Sequence, residues 1–469
     1  MPKYMTMRKI IYWLLMLFLF LLPWQSRFVY QPAFLNGGFW EYGSLTWYAT
    51  EVLLWIIIIL SSIDLVRNKK VREIMKTHQG NKKNLIIGLF TIFYLLFSIY
   101  HSLNADISFQ FVFRLLGAAC FFTVILSKAK DLVSRPTDPS VVPLPQDDKL
   151  LLALWVGGVI QGLLATWQFL SQKIIHLPFS GIAPRVPQDL GAFVIQVGDQ
   201  RWLRAYGAFG SPNILGGYLV ITFLLGLILY IRRARPLPTL PFLEGEGTLA
   251  SPPHKEEGTV GRSVALIAGQ IIIGLGIVFS FSRAAWVAVE AGIGLIIILV
   301  WKNKEQLKKL VWPLGASLVA GVLVASFFAP LFLTRLRSHG RLEQQSLTTR
   351  AEQLTDFKKM FKQHPLLGVG PGAYTLALYK QNPNLPVWRY QPVHNIYLLI
   401  LAELGLAGFG IVFLFSCFLV FWTWKRNRLF LPILILLFAL GLFDHWLWSM
   451  WAGLTVMSVI IAQGLKNHS

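Results

Sequence analysis

The sequence predicts an all-α fold, a polytopic transmembrane helical bundle of about twelve spans with a helical segment outside the membrane. Three observations predict it. Of 469 residues, 55% are hydrophobic and 14% charged, whereas soluble domains carry about a quarter charged residues, so there is too little polar surface for a water-soluble globule. Apolar runs of roughly 20 residues, enough to cross about 30 Å of hydrocarbon, recur along the chain. Basic residues collect in the short connections between alternate runs and account for most of the formal charge of +21. With no basic stripe interleaved with aromatics, this charge reads as topogenic rather than as a nucleic-acid surface.

In order, the apolar runs fall near residues 10–30, 45–66, 84–101, 107–127, 149–172, 207–231, 263–281, 284–301, 310–333, 394–424, 429–445 and 446–465. Lys3, Arg8 and Lys9 precede the first, which lacks a small-residue cleavage site and therefore reads as a retained span. The seventh and eighth form one run, too long for a single crossing, that must fold back near Arg283. Arg67, Lys69, Lys70, Arg72, Lys76, Lys82 and Lys83 crowd one connection. Lys128, Lys130 and Arg135, then Arg232, Arg233 and Arg235, then Lys302, Lys304, Lys308 and Lys309, then Lys425, Arg426 and Arg428 occupy others of the same parity. The positive-inside rule then places both termini in the cytoplasm and turns 172–206, the Arg283 turn and 334–393 outward. The whole chain, 1–469, is expected to be one integral membrane domain, with short amphipathic helices in an extracytoplasmic loop over 334–393. Proline-rich 134–146 and cytoplasmic 232–262 have compositions that bury no core and are expected to be disordered. Cys120 and Cys417 both lie in apolar runs, so neither a disulfide framework nor a cysteine metal site is available.

Three residues from separate segments share the outward parity. In SFSRAAW, Ser282 is placed to cap the eighth span, with Arg283 in its first turn. A cation is disfavoured there by the helix dipole unless a bound anion compensates, although an arginine snorkelling to the interface explains it equally. Arg350 falls in one helical stripe with Leu347, Leu354, Phe357 and Phe361, which turns it inward on an amphipathic helix. Pairing with Glu343 or Asp356 is the plainer reading. His394, in PVHNIYLLILAELGLAG, precedes an apolar helix whose dipole keeps imidazole neutral and available as a base; a structural boundary histidine is the alternative.

Other signals are weaker. GVGPG at 368–372 reads as a turn before it reads as a phosphate nest, and Arg204 and Asn213 sit at the outer end of the sixth span with glycines that suit close packing. Glu290 and Glu403 lie within spans, and Glu403 falls half a turn round the helix from His394. His254 and His339 are isolated in loops. No metal is expected, since no HExxH, carboxylate cluster or Cys-His spacing is present.

Taken in order and spacing, SFSRAAW, TTRAEQL followed by HPLLGVGPGAY, and HNIYLLILAELGLAG resemble the O-antigen ligase and polymerase superfamily, with RAYGAFGSPNILGGYL resembling its preceding span. The resemblance covers roughly 204–408. It implies a GT-C-like, metal-independent and cofactor-free glycosyltransferase of the bacterial inner membrane, multi-pass, with its active site extracytoplasmic. The implied donor is a glycan linked to polyprenyl (undecaprenyl) diphosphate, and the implied reaction an inverting transfer to an acceptor hydroxyl, as in lipopolysaccharide biosynthesis. The two family arginines fall on Arg283 and Arg350 and the family histidine on His394, while Arg204, Arg337, Arg341 and Arg389 are further cations for substrate. Surface-polysaccharide polymerases and protein O-oligosaccharyltransferases share the same motifs, so glycan, lipid and protein acceptors all stay open. A transporter is the competing architecture, but carriers place charged sites near mid-bilayer between paired halves, and neither feature is evident here.

Overall fold

The structure is a computed structural model that describes residues 2–67, 82–131, 146–177, 181–233, 257–337 and 341–466. Its first helices are α1 (Pro2–Leu21), α2 (Ala49–Arg67), α3 (Lys82–Tyr100), α4 (Ala105–Asp131), α5 (Gln146–Ser171), α6 (Pro212–Arg233), α7 (Glu257–Phe279), α8 (Arg283–Val300) and α9 (Lys304–Phe327). There follow α10 (Ala329–Arg337), α11 (Arg341–Gln363), α12 (Tyr374–Gln381), α13 (Ile396–Arg426), α14 (Leu431–Leu440), α15 (Trp446–Ser449) and α16 (Trp451–Gly464). Among the described residues, eight helices are long and apolar enough to cross a membrane, with shorter apolar helices at 91–100, 428–440 and 451–464. The protein is a polytopic helical membrane protein. The reason is general: hydrocarbon offers no partner for a free N–H or C=O, so a helix satisfies its own.

The core is organised around α6. Every residue of its membrane-crossing stretch is buried, and it packs against α5, α7, α8, α9 and α14. A helix apolar on all sides belongs inside other helices. Gly216 lets it touch the α7–α8 turn: a Cβ there would lie 2.8 Å from Ala285 Cβ and 3.0 Å from Ser280 Oγ.

At one end of the bundle, called the site end below, the connections contain strands that the all-α expectation lacked. β1 (Arg27–Gln31) pairs antiparallel with β4 (Leu45–Tyr48), β2 (Phe34–Leu35) with β3 (Gly38–Phe39), and β5 (Val194–Val197) with β6 (Gln200–Leu203). Local chemistry produces them. Asn36 and Gly37, at φ 49° and 78°, are the two central residues of a mirror-image hairpin turn. Gly198, at φ 57°, turns β5 into β6.

Other expectations also change. Residues 134–145 and 234–256, along with His254 and His339, lie outside the described residues, but Arg232 and Arg233 close α6 and residues 257–262 open α7 rather than being disordered. Asp148 explains the first, accepting from Arg233 Nε at 2.9 Å and Arg232 Nη1 at 3.4 Å. The run near 429–445 ends as helix at Leu440, and the run near 446–465 breaks at Met450, which adopts extended backbone. The 394–424 run is kinked at Gly405, with φ 63° inside α13.

That kink explains GVGPG. Val369 N donates to Ala402 O and Gly370 N to Glu403 O, each at 2.9 Å, while Leu406 N and Ala407 N donate to Pro365 O at 2.9 Å and Leu366 O at 3.1 Å. The loop supplies the partners that the broken helix gives up, and Gly368, Gly370 and Gly372 take the left-handed backbone this requires. A Cβ on Gly405 would sit 2.3 Å from the Leu366 carbonyl. Gly405→Ala is therefore expected to cost at least about 2 kcal/mol and to lower the thermal midpoint in detergent. Gly410→Ala, in the same helix with open space around its Cβ, should leave the midpoint unchanged or raise it, so equal behaviour of the two variants would count against the interlock.

Candidate functional site

The turn between α7 and α8 is built on three carbonyls. Ala205 N donates to Phe279 O at 3.0 Å, Arg204 Nε to Ser280 O at 2.9 Å and Arg335 Nε to Phe281 O at 3.0 Å. Helix ends leave such carbonyls without intrahelical partners, and guanidinium groups suit the negative end of the dipole. Phe281 takes φ 46°, reversing the chain within the turn. Ser282 caps α8, its side chain accepting from Ala285 N at 3.4 Å. Arg283 is thus the first residue of α8, half-buried, facing the same end as the 334–393 segment.

A second turn, 441–445, follows α14. Its carbonyls are also claimed from elsewhere: Ile396 N donates to Gly441 O at 2.7 Å, Asn395 Nδ2 to Leu442 O at 3.2 Å and Arg350 Nη2 to Phe443 O at 3.5 Å. Asn395 is itself the N-cap of α13, its Oδ1 accepting from Tyr397 N and Leu398 N. One short turn therefore holds both α11 and the start of α13.

Helix α11 buries only the Phe357 and Phe361 end of the stripe expected of it. Leu347 and Leu354 are 49% and 40% exposed, while Gln353, Phe357 and Met360 are buried. The apolar face is rotated because Gln353 is needed inside, where its Oε1 accepts from His394 N at 3.3 Å. Arg350 stands at the edge of that face and reaches sideways to the 441–445 turn. Asp356, one suggested partner for it, instead accepts from Asn382 Nδ2 at 3.4 Å, and the Glu343 side chain lies outside the described residues.

His394 stacks near His445, ring centroids 5.4 Å apart, and its Nδ1 is buried with no hydrogen-bond partner. His445 Nδ1 pairs with Ser449 Oγ at 2.6 Å, and His445 N donates to Asp444 Oδ1 at 2.7 Å. Burial holds the His394 imidazole below its ordinary pKa; Asp444 pulls it up and Arg350 pushes it down. His445 is pushed down to about 4 by burial, opposed by Asp444 and helped by His394. Burial lowers the Arg350 pKa, Asp444 raises it, and Arg283 lowers it, which ties all five groups into one electrostatic neighbourhood. Both imidazoles are neutral at pH 7, and both guanidinium groups remain charged.

The remaining cations divide. Arg204 is buried and holds the Ser280 carbonyl and Asn213 Oδ1 (2.8 Å). Arg389 pairs with Glu352 at 2.5 Å beside Trp388. Arg337 and Arg341 are exposed at the end of α10 and the start of α11. Of the two span glutamates, Glu290 is exposed on α8, and Glu403 is buried where Trp448 Nε1 donates to it at 2.9 Å.

Asp444 and His445 went unnoticed in the sequence. An acidic residue and a histidine ending an apolar run are a functional signal by default, but their meaning depends on His394, fifty positions away. Together His394, Asp444 and His445 offer three ligand atoms within 4.8 Å of one another, a grouping that could hold a metal ion and that no sequence motif announces. Arg350 beside the set competes with any such cation for Asp444.

Comparison with known proteins agrees with the motifs. Residues 268–413 match the family model described as O-antigen ligase, a stretch that holds Arg283, Arg350 and His394 and stops short of Asp444. No curated protein matches the chain.

A buried neutral His445 makes a pH prediction. Its folded pKa, about 4, lies below the unfolded value of roughly 6.5, so the unfolded chain binds the extra proton between those values. Stability is then intact above pH 6.5 and lost progressively as pH falls toward 4, by on the order of 3 kcal/mol. Thermal melts of His445→Gln across that window should show a flatter acid limb than the parent protein; superimposable limbs would remove this contribution.

Proposed function

We propose that the chain, whose residues 268–413 match the O-antigen ligase family model, transfers a glycan from a polyprenyl diphosphate carrier to an acceptor hydroxyl at the outer face of the bacterial inner membrane. The observation that carries this reading is the convergence at one end of the bundle of two permanent cations with a neutral imidazole. In this reading α1, α3, α14 and the α15–α16 pair cross the membrane alongside the eight longer helices. Both termini are then cytoplasmic, as the basic connections favour.

The reaction needs little beyond these groups. Arg283 and Arg350 bind the donor diphosphate, and their charge-assisted hydrogen bonds strengthen as negative charge builds on the leaving oxygen. His394 accepts the proton of the acceptor hydroxyl as its oxygen attacks the anomeric carbon. The bond from that carbon to the diphosphate oxygen breaks, and polyprenyl diphosphate departs carrying the electron pair. A single displacement from the opposite face inverts the anomeric centre. Asp444 faces both Arg350 and His394, so it aligns the guanidinium and stabilises the imidazolium that forms. Arg337 and Arg341, exposed on the same side, extend the cationic surface toward the donor. With two guanidinium groups neutralising the diphosphate, the transfer proceeds without a metal.

Purified protein given a polyprenyl-diphosphate-linked glycan and its acceptor should turn over in EDTA. His394→Ala is expected to lose about 10²- to 10⁴-fold in kcat, and Arg283→Lys or Arg350→Lys about 10²-fold or more, since an ammonium lacks the planar fork. Full activity in His394→Ala, with folding verified by its melting curve, would end the general-base assignment. Activity abolished by EDTA and restored by a divalent ion would instead assign the His394, Asp444 and His445 set to a metal.

A further inference from the structure

At the opposite end of the bundle, far from the chemistry above, the ends of α5, α6 and α13 border an open cavity of about 640 Å³ lined by Asp148, Arg232, Lys425, Arg426, Asn427 and Arg428 with Leu429. We propose that this cavity binds the phosphate headgroup of an anionic phospholipid from the adjoining leaflet. The inference is independent of the transfer reaction.

Charge is the first argument. Among the described residues lining the cavity, four are cationic and Asp148 is the one carboxylate. Asp148 is already engaged by Arg232 and Arg233, leaving Lys425, Arg426 and Arg428 at the exposed rim without a carboxylate partner among the described residues lining the cavity. Lys and Arg clustered at the ends of transmembrane helices attract the headgroups of anionic lipids.

Geometry is the second. Each of these three side chains lies over an aromatic ring one turn earlier: Lys425 over Phe421 at 4.4 Å, Arg426 over Trp422 at 4.6 Å and Arg428 over Trp424 at 4.8 Å. The stacks hold the cations at the membrane boundary in fixed positions. Unused polar capacity adjoins the cavity: Asn427 Nδ2 donates to Gln463 O at 2.9 Å, and both side-chain amide atoms of Gln463 and Nη2 of Arg233 are buried without partners.

Continuity with an apolar stripe selects a lipid over a soluble anion. Leu414, Phe418 and Phe421 are 70%, 49% and 51% exposed, and with Lys425 they follow helical spacing down one face of α13. An acyl chain lying on that face brings its phosphate to Lys425. A free phosphate or sugar phosphate would use the cations and leave the stripe bare.

Native mass spectrometry of the full-length protein tests this, with phosphatidylglycerol as the anionic probe and phosphatidylcholine as the zwitterionic one. Phosphatidylglycerol is expected to be retained at least about tenfold more strongly, and the double variant Lys425→Gln/Arg428→Gln to lose that preference by roughly tenfold or more. Both substitutions avoid the Asp148 pairs, and melting curves check the fold. Equal retention of the two lipids, or an undiminished preference in the variant, overturns the proposal. Displacement of phosphatidylglycerol by glycerol phosphate at comparable concentration overturns the lipid assignment and leaves a soluble-anion site.

Discussion

The site end depends on one constraint, the need of helix C-termini to have their last carbonyls satisfied where water is scarce. Helices α7 and α14 both end there in short turns. In each case the acceptors exposed by the ending helix are taken up by groups from distant segments: Arg204 and Arg335 at the first, Asn395 and Arg350 at the second. Each bond fixes a turn and also fixes what the turn carries. Arg283 stands where it does because the 279–281 carbonyls are held, and Asp444 and His445 because the 441–443 carbonyls are.

The same constraint sets the chemistry. A guanidinium that caps a carbonyl keeps donors to spare, so Arg350 can hold Phe443 O and still face an anion. Burying imidazoles beside guanidinium groups keeps them neutral, which is the state a proton acceptor requires. Asp444 offsets part of the positive charge around the His394 imidazole. In the proposed reaction, acceptor activation and leaving-group stabilisation come from one set of four side chains, assembled from three segments at the site end that share no sequence proximity.

Much of this was legible in the residues. Hydropathy and basic connections outlined the bundle, Ser282 was readable as a cap, and the order of the motifs pointed to Arg283, Arg350 and His394. What could not be read depends on three-dimensional neighbours. The burial of Gln353 in place of Leu354 follows from a hydrogen bond to His394 N, a contact invisible to periodicity. Asp444 and His445 close an apolar run and gain meaning only where the fold sets them beside His394. The hairpins are a different kind of miss: Asn36-Gly37 carries its own turn signal, which a scan for apolar runs passes over.

The enclosure of α6 bears on biogenesis. When this segment leaves the ribosome, α5 is available but α7, α8, α9 and α14, which cover the rest of its circumference, have yet to be made. Its mean hydropathy of 2.4 makes it content in bare lipid for that interval, so it partitions first and is wrapped afterwards. A polar replacement on α6, harmless in the finished protein if it found a partner on α8 or α14, would still be exposed to hydrocarbon during the wait. Defects in this helix should therefore appear as failed insertion during synthesis more than as weakened folded protein.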